Sequence, residues 1–499
     1  MTVGKPLFSV ADGYVSRITV GIGGFGNALY ITHPGGVTSM YCHLEKFVPQ
    51  LAAYVKKWQY QHQRYDADVR LRPTDFPVSK GQFVAVSGNT GASRAPHLHL
   101  EFHDTRTGDM LDPLSYLKDL VNDGMKPIAH SFMAYPIEGE GVFCGSQRKQ
   151  SYGFSSTNLT RKFTAWGKVG FGIWANDYME GSFGILGIRK TTLSVDGHVV
   201  FESNIDRIPV LYNRMVNSWG DYNHYCQSNV WYMKSFVEPG NKLPILNVGS
   251  GRGVVCFDKE KEYHVVYVVS DVFGNSREYS FTVEGKRQAI PQKKGGSVIN
   301  TLRYDRTNIL QRPGMMLRIP KGLLPDNVEL YPKAGMGSKG LSDSWTFYKQ
   351  SYPLFGWADI SLKLKKEVQD PSKLYIVSHY GIDRYMGGTY KNGWVKARMR
   401  EFGARYEIGY DDTPPVISGF SYSNATLRVA VYDAKSGLKG LKGYVDGDFV
   451  LFEPVEKTNM FVCRLKTAPV CKTGVKRRFR LVVTDNRDNK REFTSNIEY

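Results

Sequence analysis

The chain has 499 residues, more than one hydrophobic core organises, and its 41% apolar and 13% aromatic content describes globular protein rather than disorder. A net charge of +18 favours an acidic partner or an anionic surface. There is no zinc-finger spacing, helix-turn-helix pattern or RNP-type strand, so nucleic acid is not an expected partner, and no apolar run reaches the roughly 20 residues of a membrane span.

The first residues, MTVGKPLFSVADGYV, lack the basic start and long apolar stretch of a signal peptide. Strand signals then dominate: Val, Tyr and Phe alternate with polar residues between Gly, Asp and Asn punctuation. SVADGYVSRI (9–18) reads as a strand pair around Asp12-Gly13. GIGGFG (21–26) fits G-x-G-x-x-G, but a strand pattern follows it instead of the helix a dinucleotide site needs, so it is a hairpin loop. SMYCHL (39–44) places His43 on a strand. PQLAAYVKKWQYQHQRY (49–65) is the one clear helix, with a short second one predicted within 113–122. FPVSKGQFVAVSGNTG (76–91) is a further strand ending in a Gly-bounded turn, and HLHLEF (97–102) closes the sheet. Alternation puts His97 and His99 on one strand face, roughly 7 Å apart, with Leu98 and Leu100 turned into a core. Glu101 is assigned to the other face, as a structural residue.

VADGYV, the GxGN loop, H-x-x-G, Y-x-H-L, V-x-x-G-Q, SGNTG and P-H-L-H-x-E occur in this order within residues 4–117. The set resembles the LytM/lysostaphin-type zinc metallopeptidases, with the helix from Pro49 as an insertion. The resemblance implies a mainly β fold, an antiparallel peptidase domain with one inserted helix. It also implies a zinc site of catalytic type, with three protein ligands and an open position for water. His99 matches one metal ligand. His97 and His43 match the catalytic histidines that position or deprotonate the water and stabilise the tetrahedral intermediate. The family's other two ligands come from an upstream H-x-x-x-D, which has no counterpart in this sequence. The expectation is an N-terminally truncated chain, with no tight zinc and little hydrolysis. His62 and Asp66 have the spacing but belong to the inserted helix, where a solvated face is expected. His33 is expected near the site edge, and His130, His198, His224, His264 and His379 are expected in ordinary core or surface roles.

The implied substrate is the peptide cross-link of bacterial peptidoglycan. Peptidoglycan or another anionic envelope polymer is then the partner, in the periplasm or outside the cell. One alternative is a degenerate domain that binds or regulates other wall hydrolases. A structural envelope protein with a vestigial first domain is another.

The rest of the chain contains a repeat. Asp196-Gly197 is followed by VVSDVFGNSREYSF (268–281), and Asp446-Gly447 by VVTDNRDNKREF (482–493). Upstream of these turns, DYMEG (177–181) matches DAKSG (433–437). Asp-Gly is a strong hairpin turn, and the two copies resemble bacterial immunoglobulin-like modules. The expected organisation is a peptidase domain at 1–122 followed by three β-sandwich-like modules. These are an Ig-like sandwich at 125–285, a β-rich module of unclear type at 298–410, and a second Ig-like sandwich at 413–499. The Gly-rich basic stretch 285–297 and the prolines 414–415 mark linkers. Of the six cysteines none forms a CxxC pair; Cys463 and Cys471 could staple a hairpin, and Cys42 is expected as a buried free thiol.

Overall fold

The structure is a computed structural model that describes residues 2–182, 184–293, 299–468 and 476–498. Its regular elements are mostly strands, paired almost wholly antiparallel. Among the described residues no helix is long and apolar enough to cross a membrane.

The N-terminal region contains β1 (Pro6–Phe8), β2 (Gly13–Val20), β3 (Ala28–Thr32), β4 (Val37–Cys42) and β5 (Leu44–Phe47). After α1 (Pro49–His62) come β6 (Ala67–Arg70), β7 (Pro77–Val78), β8 (Phe83–Ser87), β9 (His99–Asp104) and β10 (Met110–Leu111). A one-turn helix, α2 (Leu114–Leu117), follows. The main sheet runs β10-β9-β4-β3-β2-β6, and β1, β8 and β5 form a small second sheet. Asp12-Gly13 does not turn a hairpin as its sequence suggests: β1 pairs with β8, while β2 pairs with β3 across the 21–27 loop. The buried faces of β2, β3 and β8 supply Val15, Ile18, Leu29, Ile31, Val84 and Ala85 to one core. Leu98 and Leu100 pack against it, as alternation predicts.

α1 starts with Pro49 at its first position and ends at Gln63 in the left-handed conformation, whose N–H caps the last turn. Leu51, Val55 and Gln59, four residues apart, face the N-terminal core. Tyr60 points the other way and packs edge-on against Phe449, ring centroids 5.7 Å apart. Lys56 donates to the Thr467 hydroxyl (2.7 Å), and Lys457 donates to the Gly91 carbonyl (2.7 Å). The C-terminal module therefore returns to the first one, and a cleft of about 1000 Å³ lined by Asn89, Thr90, Glu456 and Lys457 lies between them.

Further along, ten strands hydrogen-bond as one sheet around Phe132, Phe143, Phe163, Phe171 and Phe281. One pairing in it is parallel, between Asn158–Asn176 and Ser276–Gly285. Glu262–Ser270 shows the expected alternation, with Tyr263, Val265, Tyr267 and Val269 all buried. This module lends Arg207–Ile208 to the edge of the first sheet, paired with β10. Two five-stranded sheets then enclose a core running from Leu302 to Ile408, and two four-stranded sheets enclose one from Leu427 to Ile497. Both Asp-Gly turns of the repeat have positive φ at each residue: 51° and 79° at Asp196-Gly197, 51° and 95° at Asp446-Gly447. Each Asp also accepts a backbone N–H from the neighbouring strand at 2.8 Å, from His264 and Arg478. Residues 294–297 of the expected linker lie outside the described residues, as does Cys471 and with it the staple expected for Cys463. Cys42 is buried and free, and burial pushes its thiol up to about 12.

Candidate functional site

His43 meets His97 and His99 from a separate segment, with one ring nitrogen of each within 4.8 Å of the others. Ring centroids are 4.9 Å apart for His43 and His97, 5.6 Å for His43 and His99, and 6.3 Å for His97 and His99. Only His99 lies on a strand, as the first residue of β9. His97 sits in the loop before it, and His43 occupies the bend between β4 and β5 with φ 59°.

Two glycine loops hold His43 in that unusual conformation. Its N–H donates to the Phe25 carbonyl (3.0 Å), and its Nδ1 bonds the Thr90 carbonyl (2.8 Å). Thr90 is fixed in turn: its hydroxyl donates to Leu44 O (3.0 Å) and accepts from the Asn27 N–H (3.0 Å). The loops touch so closely that a Cβ at Gly91 would lie 2.3 Å from the Gly26 nitrogen, and Gly91 itself has φ +72°. Gly91→Ala is therefore expected to destabilise the domain by about 2 kcal/mol or more, from left-handed strain plus overlap. A urea-unfolding midpoint equal to that of the parent chain would refute the interlock.

Hydrogen bonds set which nitrogen each ring presents. A carbonyl only accepts, so the neutral rings of His43 and His97 carry their proton on Nδ1, toward Thr90 O and Ala95 O (2.8 Å each), and leave Nε2 as a lone pair. His99 is reversed. Its Nε2 bonds Glu101 Oε1 (2.7 Å), which leaves Nδ1 free. Burial lowers the pKa of His43, with the neighbouring His97, His99 and Lys457 adding to the shift and the Thr90 carbonyl opposing it. Phe25 flanks the cluster edge-on to His99, centroids 5.6 Å apart.

Glu101 corrects the reading from the sequence. Residues 99, 101 and 103 share one face of β9, and the Glu101 carboxylate bridges His99 and His103, 2.7 Å from each. Burial alone would raise its pKa, but the hydrogen bond from His103 and the charge of His99 hold it below the usual range. The same hydrogen bond raises His103. Period-two counting from His99 was the signal that could have found it. Thr90 and Phe25 carried none beyond their glycine-rich context.

The other candidates stay apart. His62 is exposed, stacks on Trp58 and bonds its own helix at Trp58 O (2.8 Å), and Asp66 is exposed. His33 is buried between Asp12 O (2.8 Å) and Ser39 Oγ (2.7 Å), a structural pairing.

An uncharacterized metalloprotease of Haemophilus influenzae is 32% identical to this chain over 122 residues, which is 24% of this chain and 20% of that protein. The N-terminal domain resembles the LytM/lysostaphin metallopeptidase type. Lipoprotein NlpD of Yersinia enterocolitica matches the chain at 28% identity over 114 residues, 23% of this chain and 91% of NlpD. Among solved structures, the catalytic domain of the antimicrobial peptidase lysostaphin from Staphylococcus simulans is 25% identical, covering 24% of this chain and 74% of its own, with a TM-score of 0.16. The chain spans about a fifth of the length of the Haemophilus relative. Downstream of the LytM-type domain, a family profile described as a Zu5-like domain matches residues 299–411.

Proposed function

We propose that the LytM-type domain serves a zinc endopeptidase that hydrolyses peptide cross-links of bacterial peptidoglycan, in the periplasm or outside the cell. The observation that carries this reading is the convergence of three imidazoles, each fixed through one nitrogen and presenting the other. Imidazoles backed by carbonyl or carboxylate acceptors suit zinc. The net charge of +18 suits an anionic envelope.

His99 would hold the metal through Nδ1, with Glu101 orienting the ring. The family's other two ligands, the His and Asp of an H-x-x-x-D that precedes VADGYV, have no counterpart at that position in this sequence. Bound zinc lowers the pKa of a water and polarises the scissile carbonyl. His97 is exposed, and its Nε2 takes the proton from the attacking water and returns it to the leaving amine. His43, buried and kept neutral, orients the water beside it. While it holds that proton, His97 can donate to the negative oxygen of the tetrahedral intermediate.

The test is metal content and bond cleavage, measured separately. The 499-residue chain should lose zinc to a chelator during dialysis. Stoichiometric retention would show a complete ligand set within these residues and overturn the reading of His99 as their one zinc ligand. The protein isolated from its host should release new amino groups from purified peptidoglycan; release of reducing sugar ends instead would overturn the peptide assignment. A regulatory or binding role is the second reading, favoured by the two missing ligands. Peptidoglycan binding without amine release, with no H-x-x-x-D encoded upstream of Met1, would establish it in place of the first.

Glu101→Gln keeps an acceptor but removes the charge shared by His99 and His103. Zinc affinity or turnover should fall about 10- to 100-fold, the usual cost of losing a ligand's hydrogen-bonding partner. Competition with a chromogenic chelator reads the affinity, and an unchanged value would limit Glu101 to a structural part.

A further inference from the structure

The two copies of the repeat each bring three aspartates together. One oxygen each from Asp123, Asp177 and Asp271 lies within 4.8 Å of the others, and the same holds for Asp411, Asp433 and Asp485. The copies correspond in detail. Asp123 and Asp411 both stand four residues before a proline, and each accepts the N–H two residues on, from Met125 (2.9 Å) and Thr413 (3.2 Å). Asn275 bridges Asp271 Oδ2 (2.7 Å) and Asp123 O (3.0 Å), and Asn489 bridges Asp485 Oδ2 (2.7 Å) and Asp411 O (2.8 Å).

They differ in how the charge is met. In the C-terminal copy, Lys435 Nζ lies 3.8 Å from Asp411 and 3.4 Å from Asp412. Asp411 Oδ2 accepts the Ser436 N–H (3.1 Å), and Asp433 Oδ1 accepts N–H groups from Lys435 (3.0 Å) and Gly437 (2.7 Å). In the first copy Met179 occupies the lysine's position in the matched segment, and Glu180 replaces Ser436. Glu180 adds a fourth carboxylate, held at the Gly124 N–H (2.9 Å). Asp177 is 2% exposed, yet its Oδ1 has no hydrogen-bond partner, while the Asp123 carboxyl lies against that of Glu180. Among the described residues no lysine or arginine forms an ion pair with any of these four acids. Asp177 is pushed up to about 6 by burial, against a backbone hydrogen bond from Tyr178, with the charges of Asp271 and Asp123 adding to the rise. A buried carboxylate oxygen with neither donor nor cation is costly, and the sister copy shows how this fold meets the cost with a lysine.

We propose that Asp123, Asp177 and Asp271, with Glu180 beside them, form a calcium site where the LytM-type domain joins the module that follows. The donors are all hard oxygens, the set that calcium takes and that zinc leaves in favour of imidazole. Asp123 belongs to the connection between the two modules, while Asp177 and Asp271 belong to the second, so the ion braces their junction.

Calorimetric titration of the chelator-treated full chain with calcium chloride tests this. One calcium per chain is expected, with a dissociation constant of about 10⁻⁴ to 10⁻³ M, the range of extracellular modules. Calcium should also raise the melting temperature. Met179→Lys installs the sister copy's cation, so it should fold and lose calcium binding. Asp433→Asn should bind as the parent does. Asp177→Asn is the second variant should the lysine disturb folding; it removes repulsion in the metal-free chain and should also lose calcium. No binding up to about 10 mM calcium, well above that range, would overturn the proposal. So would unchanged binding in both Met179→Lys and Asp177→Asn, loss of binding in Asp433→Asn, or equal affinity for magnesium.

Discussion

His99→Ala, in the protein as its host produces it, should abolish metal retention and peptidoglycan hydrolysis together while leaving the fold intact. The side chain is 35% exposed at the start of β9, so its removal opens no large cavity. It meets the Glu101 carboxylate, the edge of Phe25 and the rings of His43 and His97. Losing the ring takes away the only metal ligand that these 499 residues contribute in the proposed mechanism. Residual zinc should fall to background by elemental analysis, with an unchanged circular-dichroism spectrum. Full hydrolysis by the variant would remove His99 from the mechanism, and lost activity with zinc retained would reassign it from ligand to proton carrier.

His97→Ala should do the opposite to metal and the same to turnover. Its ring hangs from a loop by one bond to Ala95 O and a longer one to Ser93 Oγ, at 2.8 and 3.3 Å. Nothing in the core depends on it. Loss of a positioned proton carrier costs about 10²- to 10⁴-fold in rate, so kcat should drop by that factor while zinc content stays at the parent level. Parent rates at normal zinc content would exclude it as the base.

What could be read from the sequence follows a physical division. Period-two alternation located the strands, and the glycine motifs located the loops, because both are local properties of the chain. The three histidines of the site were legible from their motifs. His43's departure from the strand was not, since its φ of 59° is imposed by Phe25 O and Thr90 O from two distant loops. Glu101 was legible and misassigned, for it shares the parity of His99. The inserted helix was visible, but its outer face was not interpretable: Tyr60 meets Phe449 across nearly the whole chain, and no local pattern encodes such a contact. The Asp-Gly turns exposed the repeat, whereas the exchange of Lys435 for Met179 gained meaning only when the carboxylates around it were placed.

The return of the C-terminal module to the first domain also sets an order in time. Chains emerge from the ribosome at about 5 to 20 residues per second, so residue 457 appears roughly 17 to 70 s after the last strand of the LytM-type domain, β10, has been made. Until then the Gly91 loop, which carries the anchor of His43, lacks its bond from Lys457. Contacts this distant in sequence also close slowly. The site would thus reach its final stiffness only in molecules whose synthesis has run nearly to the end, so a prematurely terminated product carries the histidines without that brace.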